Sequence, residues 1–562
     1  MSKPVRIALL VSLWVCGSLL LPSAVGVAQT LGPPALQLPG AQFGGMYRRM
    51  LGDNPSTLDP ASLTDIYGRA VISQIFDGLV QFDADLKPLP ALAEFWEASR
   101  DGRTWTFTLR RGVRFHHGRE VTAPDVVYSF TRLLDPERPL PVAELFRRVQ
   151  GAREFMQGKA QQIQGLTALD RYSLQMVLEE PLASALVVLG LAHAAVVPQE
   201  EVERLGGRFG RAPVGTGPFK FVQWEPNQEI VLEANEQYHE GRPFLDGIVF
   251  KILVGNKYEE MFAEFLQGNL EETIIPSEKL DEVRVDPRYQ QYRRVRIPTL
   301  SLFYIGFNTQ VKPFDDRRIR QAFNYAVNTE AIVREITNKG GLLATGILPP
   351  GMPGHDPELQ GYSYDPAKAK RLLAEAGYPN GVGFPVVQLW SAAKAESTKA
   401  ELAAYQRYLA EVGVQVDIHF APDWPAYKAM LEQGKLSMFR LVWYADIPDP
   451  DNMLSPLLHS TSPTNRTFYR NPRVDQLLEQ ARKALDKVER MALYSEVERV
   501  VMEDAPWIVQ HYYVSEYLFH PYVQGVEINL LGSRTMPLKK IWFKKSLAEG
   551  SMGAMTDVQP RQ

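Results

Sequence analysis

Asp446 stands near the end of the segment SMFRLVWYADIPDPDN (Ser437 to Asn452), which brings an acid together with two large aromatic residues. Phe439, Leu441, Trp443 and Ala445 alternate with Val442, Tyr444 and Asp446, the period-2 pattern of a strand. Asp446 therefore falls at the carboxyl end of a strand, the side on which open α/β sheets bind ligands. Pro448 and Pro450 argue against a helix following at once. A carboxylate held there, flanked by Trp443 and Tyr444 in a cleft largely free of water, can pair with an ammonium group. The alternative is structural: an Asp ahead of a proline-rich turn can simply cap the loop.

Other residue types that could do chemistry lack the spacing for it. His116 and His117 sit in a glycine-punctuated turn with no third ligand near in sequence, and His459, His511 and His520 are single histidines. Asp449-Pro450-Asp451-Asn452 opens like a calcium loop, but Met453 and Leu454 stand where a ligand and a glycine are required, so a turn is expected. GTGPF at 215–219 lacks the third glycine of a dinucleotide loop and reads as a sheet turn. There is no G-x-S-x-G and no H-E-x-x-H, and the single cysteine, Cys16, lies near the N-terminus. No metal, cofactor or catalytic residue is expected.

The elements that position Asp446 are legible in several places. Trp105, Phe107 and Leu109 alternate with threonines after the Asp101-Gly102 turn. Thr122 and Asp125 form a capping box ahead of Val126, Phe130, Leu133 and Leu134. Strands are expected around Phe219 and Phe221, Ile230 and Leu232, and Ile248 to Ile252. Asp315 or Asp316 caps a helix with Ile319, Ala322, Phe323, Ala326 and Val327 on one face, and Asp365-Pro366 opens another that ends at Gly377. Strand 386–390, helix 399–411 and strand 414–420 make a βαβ unit, which requires parallel strands. Helices at 474–484 and 488–502 and strands at 507–509 and 541–543 follow. Lys539, Lys540, Lys544 and Lys545 are expected to charge an exposed edge strand and keep it from pairing with another chain.

The N-terminus has the order of an export signal: Lys3 and Arg6, an apolar run from Ile7 to Leu21, and small residues at Gly26 and Ala28, with cleavage after Ala28. An uncleaved anchor is the rival, although the run is shorter than a span's ~20 residues. Val15 before Cys16 does not suit a lipoprotein. Two of the 61 Lys+Arg and none of the 65 Asp+Glu lie in residues 1–28, so the remainder carries 59 bases against 65 acids, net −6. That balance argues against nucleic acid as a partner. The 534 residues after the leader exceed a single core, which stops growing near ~250–300 residues.

The stretch Leu86 to Pro136 reads W-E-x-S-x-D-G-x-T-W-x-F-x-L-R-x-G-V-x-F-H-x-G-x-x-x-T-A-x-D-V-V-Y-S-F from Trp96 onward. It resembles the signature region of the family 5 extracellular solute-binding proteins, the oligopeptide, dipeptide and nickel receptors of bacterial ABC importers. The resemblance implies an α/β, two-lobe periplasmic-binding-protein fold of the large type, with an extra subdomain inserted in the first lobe. Its implied division is a leader at 1–28, a tether at 29–42, lobe I at 43–77, 190–299 and 511–545, the insert at 78–189, lobe II at 300–510 and a loose tail at 546–562.

By the same resemblance, W-x-A-D-x-x-D-P puts Asp446 where the family's peptide receptors meet the α-amino group, with the backbone of Trp443, Tyr444 and Ala445 pairing with an extended peptide. Asn54, in NPSTLDP, matches the border of the first lobe with the cleft, a plain turn being the alternative. The arginine that dipeptide receptors carry shortly after an L-W strand is missing from LWSAAKAES, where Lys394 is the nearest cation. The implied protein is a periplasmic monomer that hands a peptide to a membrane permease and uses no cofactor. A receptor for a nickel chelate, opine or oligosaccharide, or a periplasmic hydrolase, remain as alternatives.

Overall fold

The computed structural model describes residues 38–137, 143–255, 257–335 and 340–544. The expected leader, the tether before residue 38, the tail and Lys545 lie outside the described residues. Among the described residues no helix is long and apolar enough to cross a membrane.

The signature stretch forms as its pattern dictates. Strand Thr104–Leu109 buries Phe107 and Leu109. Helix Ala123–Leu133 starts at the capping box, with the Thr122 N–H donating to Asp125 Oδ2 at 2.9 Å. Its Val126, Phe130 and Leu133 share one core with Phe107 and Leu109, and burying each such side chain contributes about 1.5–3 kcal/mol. The strand lies in an antiparallel sheet ordered Ala93–Ala98, Thr104–Leu109, Ser173–Val177, Leu166–Ala168.

A second four-stranded sheet runs Met46–Leu51, Gly247–Ile252, Glu229–Ala234, Phe219–Glu225, with only its first pair parallel. The GTGPF turn packs backbone against backbone. Gly217 N–H donates to Ile75 O at 2.8 Å, and a Cβ on Gly215 would fall 2.1 Å from that same oxygen.

The largest sheet has eight strands built around Trp507–Phe519. The first half of this strand pairs with Ser301–Phe307 and Gly341–Leu343, and the second half with Glu272–Ile274 and Arg293–Pro298. Only 507–509 is legible as strand from sequence, because all of its 13 residues except Tyr513 are buried and no polar face remains to alternate. The expected βαβ unit is present as Val387–Ser391, Glu396–Glu411 and Val416–Phe420, with the two strands parallel. Helix Arg317–Ala326 is capped by Asp316 and helix Pro366–Glu375 by Asp365.

Two expectations are corrected. Helix Pro450–Leu458 starts soon after Asp446, because Pro450 occupies the first helical position, where no N–H is needed, and Asp449 caps it by accepting from Asp451 N–H. Lys539 does not guard an open edge. It is buried, and its Nζ lies 2.6 Å from Glu240 Oε2 and 2.8 Å from Gln81 Oε1.

The chain near Thr299 runs beside the middle of the long strand. Thr299 N–H donates to Tyr513 O at 2.8 Å, and Tyr513 N–H donates to Ser301 Oγ at 3.1 Å. Segments far apart in sequence also meet away from that point. Ile447 is buried in the core of Phe107, Leu86 in that of Tyr304 and Trp507, and Lys483 Nζ lies 3.1 Å from Glu180.

Candidate functional site

Strand Met438–Tyr444 is hydrogen-bonded along its whole length to Ser301–Phe307, but to Val387–Ser391 only at Met438 and Phe439. Beyond its end, Ala445 N–H donates to Leu300 O and Asp446 N–H to Asn452 Oδ1, both at 2.8 Å, while Trp443 Nε1 donates to Asn452 O at 3.0 Å. These bonds fix the direction in which the Asp446 carboxylate leaves the backbone. They also occupy the Ala445 amide, one of the groups expected to pair with a peptide.

Asp446 lines two adjoining cavities, of ≈ 470 Å³ and ≈ 170 Å³, together with Arg69, Leu531 and Thr535. The larger has walls from both halves of the long strand's surroundings. Tyr513, Ser515 and Tyr517, at alternate positions and so on one face, meet Tyr444, Arg49, Tyr258 and the turn Leu530–Thr535 around it. Asp446 is half exposed rather than dry, and Arg69 Nη2 lies 3.4 Å from its Oδ1. Arg49 is buried 2.7 Å from Glu272, whose other oxygen accepts from Tyr47 Oη at 2.8 Å. Burial raises the pKa of the Tyr444 and Tyr513 hydroxyls, with the Arg534 charge acting against the rise. Both phenols are therefore neutral hydrogen-bonding groups at neutral pH. Tyr444 has half its surface open and lines the larger cavity.

Asn54 lines neither cavity; its Nδ2 donates to Asn227 Oδ1 at 2.6 Å and its Oδ1 accepts from Asn227 N–H at 2.9 Å, tying two turns together. Lys394 is equally remote, donating to Pro422 O at 2.8 Å. His116 bonds Gly217 O at 3.0 Å through Nε2, and burial holds its pKa down to about 4. His117 lies 2.9 Å from Glu200. His511 stacks on Phe303 at 4.4 Å and is held down to about 3 by burial, while His520 packs against Phe265 with the rings tilted and is held down to about 4. His459 lies 3.5 Å from Glu479. The Asp449 carboxylate is spent on Arg490, at 2.7 and 2.9 Å. Among the described residues no group of three or more His, Cys, Asp and Glu is placed to hold a metal ion.

Of the residues expected from sequence, Asp446, Tyr444 and Ala445 line the larger cavity and Trp443 and Asn54 do not; Arg69, Arg49, Arg534, Tyr513, Ser515 and Tyr517 line it without having been expected. Arg69 stands 377 positions from Asp446, a separation no local pattern reports.

Comparison with known proteins agrees with this geometry. The model of the bacterial extracellular solute-binding proteins, family 5, matches residues 87–465. Heme-binding protein A of Haemophilus influenzae is 33% identical over 80% of this chain and 84% of its own length. Glutathione-binding protein GsiB of Salmonella choleraesuis is 30% identical over 82% of this chain and 87% of its own. The periplasmic binding protein DppA of Helicobacter pylori, in complex with the peptide STSA, superposes with a TM-score of 0.74 at 27% identity, over 89% of this chain and 98% of that one. Its two lobes are those of the periplasmic-binding-protein fold, and the chain belongs to the bacterial extracellular solute-binding proteins of family 5.

Proposed function

We propose that this protein is the periplasmic substrate-binding component of an ABC importer and that it captures a short peptide in the ≈ 470 Å³ cavity, with Asp446 meeting the ligand's ammonium group. The observation that carries this reading is the placement of Asp446. Its main chain is fixed by Asn452 and its carboxylate is turned into a cavity lined from both lobes. The volume lies within the ~300–1,000 Å³ range of small-ligand sites. Tyr444 and Ala445 act as the flanking wall, whereas Trp443, expected beside them, lines neither cavity and packs against the core of Tyr304 and Trp507; the plain cap role for Asp446 is disfavoured because its carboxylate accepts no backbone N–H in the described structure.

The division into lobe I (43–77, 190–299, 511–545), insert (78–189) and lobe II (300–510) belongs to the same reading. It is supported by separate cores: one joins Tyr47, Phe250 and Phe519, another Phe107 and Phe130, and two more lie within 300–512 apart from Leu86. Opening and closing then turn about Thr299 and Tyr513, and ligand favours the closed form by its differential affinity. Export by the leader, release as a monomer after Ala28 and delivery to a membrane permease complete the role. The protein changes nothing covalently.

Calorimetry with a mixture of unblocked tripeptides tests it. Because Asp446 is half exposed, Asp446→Ala is expected to cost less than the ~3–5 kcal/mol of a fully buried pair, about 1.5–3 kcal/mol as a charge-assisted hydrogen bond. Unchanged affinity removes Asp446 from the site, and turnover of the peptides removes the receptor.

A further inference from the structure

Three guanidinium groups line the larger cavity, and two are matched. Arg49 stands 2.7 Å from Glu272 and Arg69 3.4 Å from Asp446. Arg534 makes no hydrogen bond or ion pair among the described residues. The two matched pairs cancel in charge, so Arg534 leaves the cavity with one uncompensated positive charge, beside the neutral hydroxyls of Tyr444 and Tyr513.

The backbone under Arg534 is braced far more than a surface turn requires. Asn529 Oδ1 accepts from Leu531 N–H at 2.9 Å and from Thr535 Oγ1 at 3.1 Å, and Asn529 O accepts from Gly532 N–H at 2.9 Å. Gly532 has φ +90°, a conformation that other residues adopt only with strain. Leu300, next to Thr299, donates its N–H to Leu530 O at 3.1 Å, and Arg49 Nη2 donates to Ser533 O at 3.2 Å. A matched cation thus holds the turn on which the unmatched one is displayed. A long side chain on a fixed base loses less freedom on binding, and enclosing its charge without a counterion is costly.

We infer that Arg534 anchors the ligand's carboxylate, so that the ligand is a short unblocked peptide gripped by its ammonium at Asp446 and by its carboxylate at Arg534. This rests on the peptide reading of the cavity above. The planar guanidinium can take both carboxylate oxygens at once, which a lysine cannot. The anchor sits on the C-terminal segment, on the opposite side of the chain's order from the Leu389-Trp390 strand, where the cation at hand, Lys394, is committed to Pro422 O.

The full chain is dialysed to equilibrium against one tripeptide library in three forms, unblocked, C-terminally amidated and N-acetylated, with retained peptides read by mass spectrometry. The unblocked form is retained, and amidation weakens retention about tenfold to a hundredfold, the range a charge-assisted hydrogen bond supplies. Arg534→Gln, with an unchanged melting temperature since the side chain has no hydrogen-bond or ion-pair partner among the described residues, holds acid and amide alike; Arg534→Lys keeps part of the preference. If amidated peptides bind the natural protein as well as unblocked ones while acetylated ones do not, the peptide reading stands and the role of Arg534 falls. If no form is retained, both fall.

Discussion

Arg69 Nη2 stands 3.4 Å from Asp446 Oδ1, and both side chains line both cavities. The Asp446 carboxylate faces an internal cation, so on the proposed reading the ligand's ammonium group must displace Arg69 or share Asp446 with it. The pair is loose and partly exposed, so displacement is a small cost, of the order of 0.2–1 kcal/mol.

Arg69→Gln removes that competition. Tripeptide affinity is expected to rise about two- to fivefold at low ionic strength, with the gain shrinking as salt is added. Calorimetry across a salt series checks it, and a loss of affinity would place Arg69 on the ligand instead.

Glu498 gives the protein a pH dependence far from the cavity. It is buried, and its Oε1 accepts from Leu348 N–H at 2.9 Å and from Ile347 N–H. Burial outweighs these two bonds and raises its pKa from 4.5 to about 7. The folded protein therefore holds a proton that the unfolded chain has lost between those values, and stability falls as pH rises through that window. The contribution is fully present below 4.5 and gone above about 7, a span worth about 3 kcal/mol at most. Glu498→Gln keeps an acceptor but cannot ionise, so urea unfolding at pH 5 and pH 8 should lose this part of the slope.

Lys539→Met leaves Glu240 buried without its cation. A loss of about 3–5 kcal/mol in urea unfolding is expected, whereas a lysine on an exposed edge would give about 0.5 kcal/mol or less. The double variant Lys539→Met, Glu240→Leu should recover much of the loss, because the cost lies in the orphaned charge.

Gly215→Ala would place its methyl carbon 2.1 Å from Ile75 O. Helix Ile66–Ile75 carries Arg69, so the backbone shift needed to make room moves a residue of the site. Destabilisation of about 1–3 kcal/mol is expected, together with weaker peptide retention.

The contrast between what the sequence revealed and what it hid follows from range. The strand ending just before Asp446 is legible because alternation is a local signal, and the Thr122 capping box is complete within four residues. Arg534 is not, because its turn has no periodicity and its significance depends on which neighbouring charges are already matched. Lys539 was misread for a related reason: its partner Glu240 lies 299 positions away, and a run of lysines looks solvated until that partner is seen. The long strand escaped because both its faces are covered, which erases the alternation that would mark it. The helix Pro450–Leu458 is not expected from sequence because Pro448 and Pro450 read as breakers and 449–452 as a turn, whereas a proline can equally open a helix.

Trp507–Phe519 pairs along its first half with Ser301–Phe307 and Gly341–Leu343 and along its second half with Glu272–Ile274 and Arg293–Pro298, with one shift of register between Phe303 and Tyr304. Unzipping it from either side exposes buried residues of the other, so neither lobe has an independent melting transition to offer. Heating or denaturant should therefore yield one cooperative endotherm, and a protease that cuts at this strand should release both halves together.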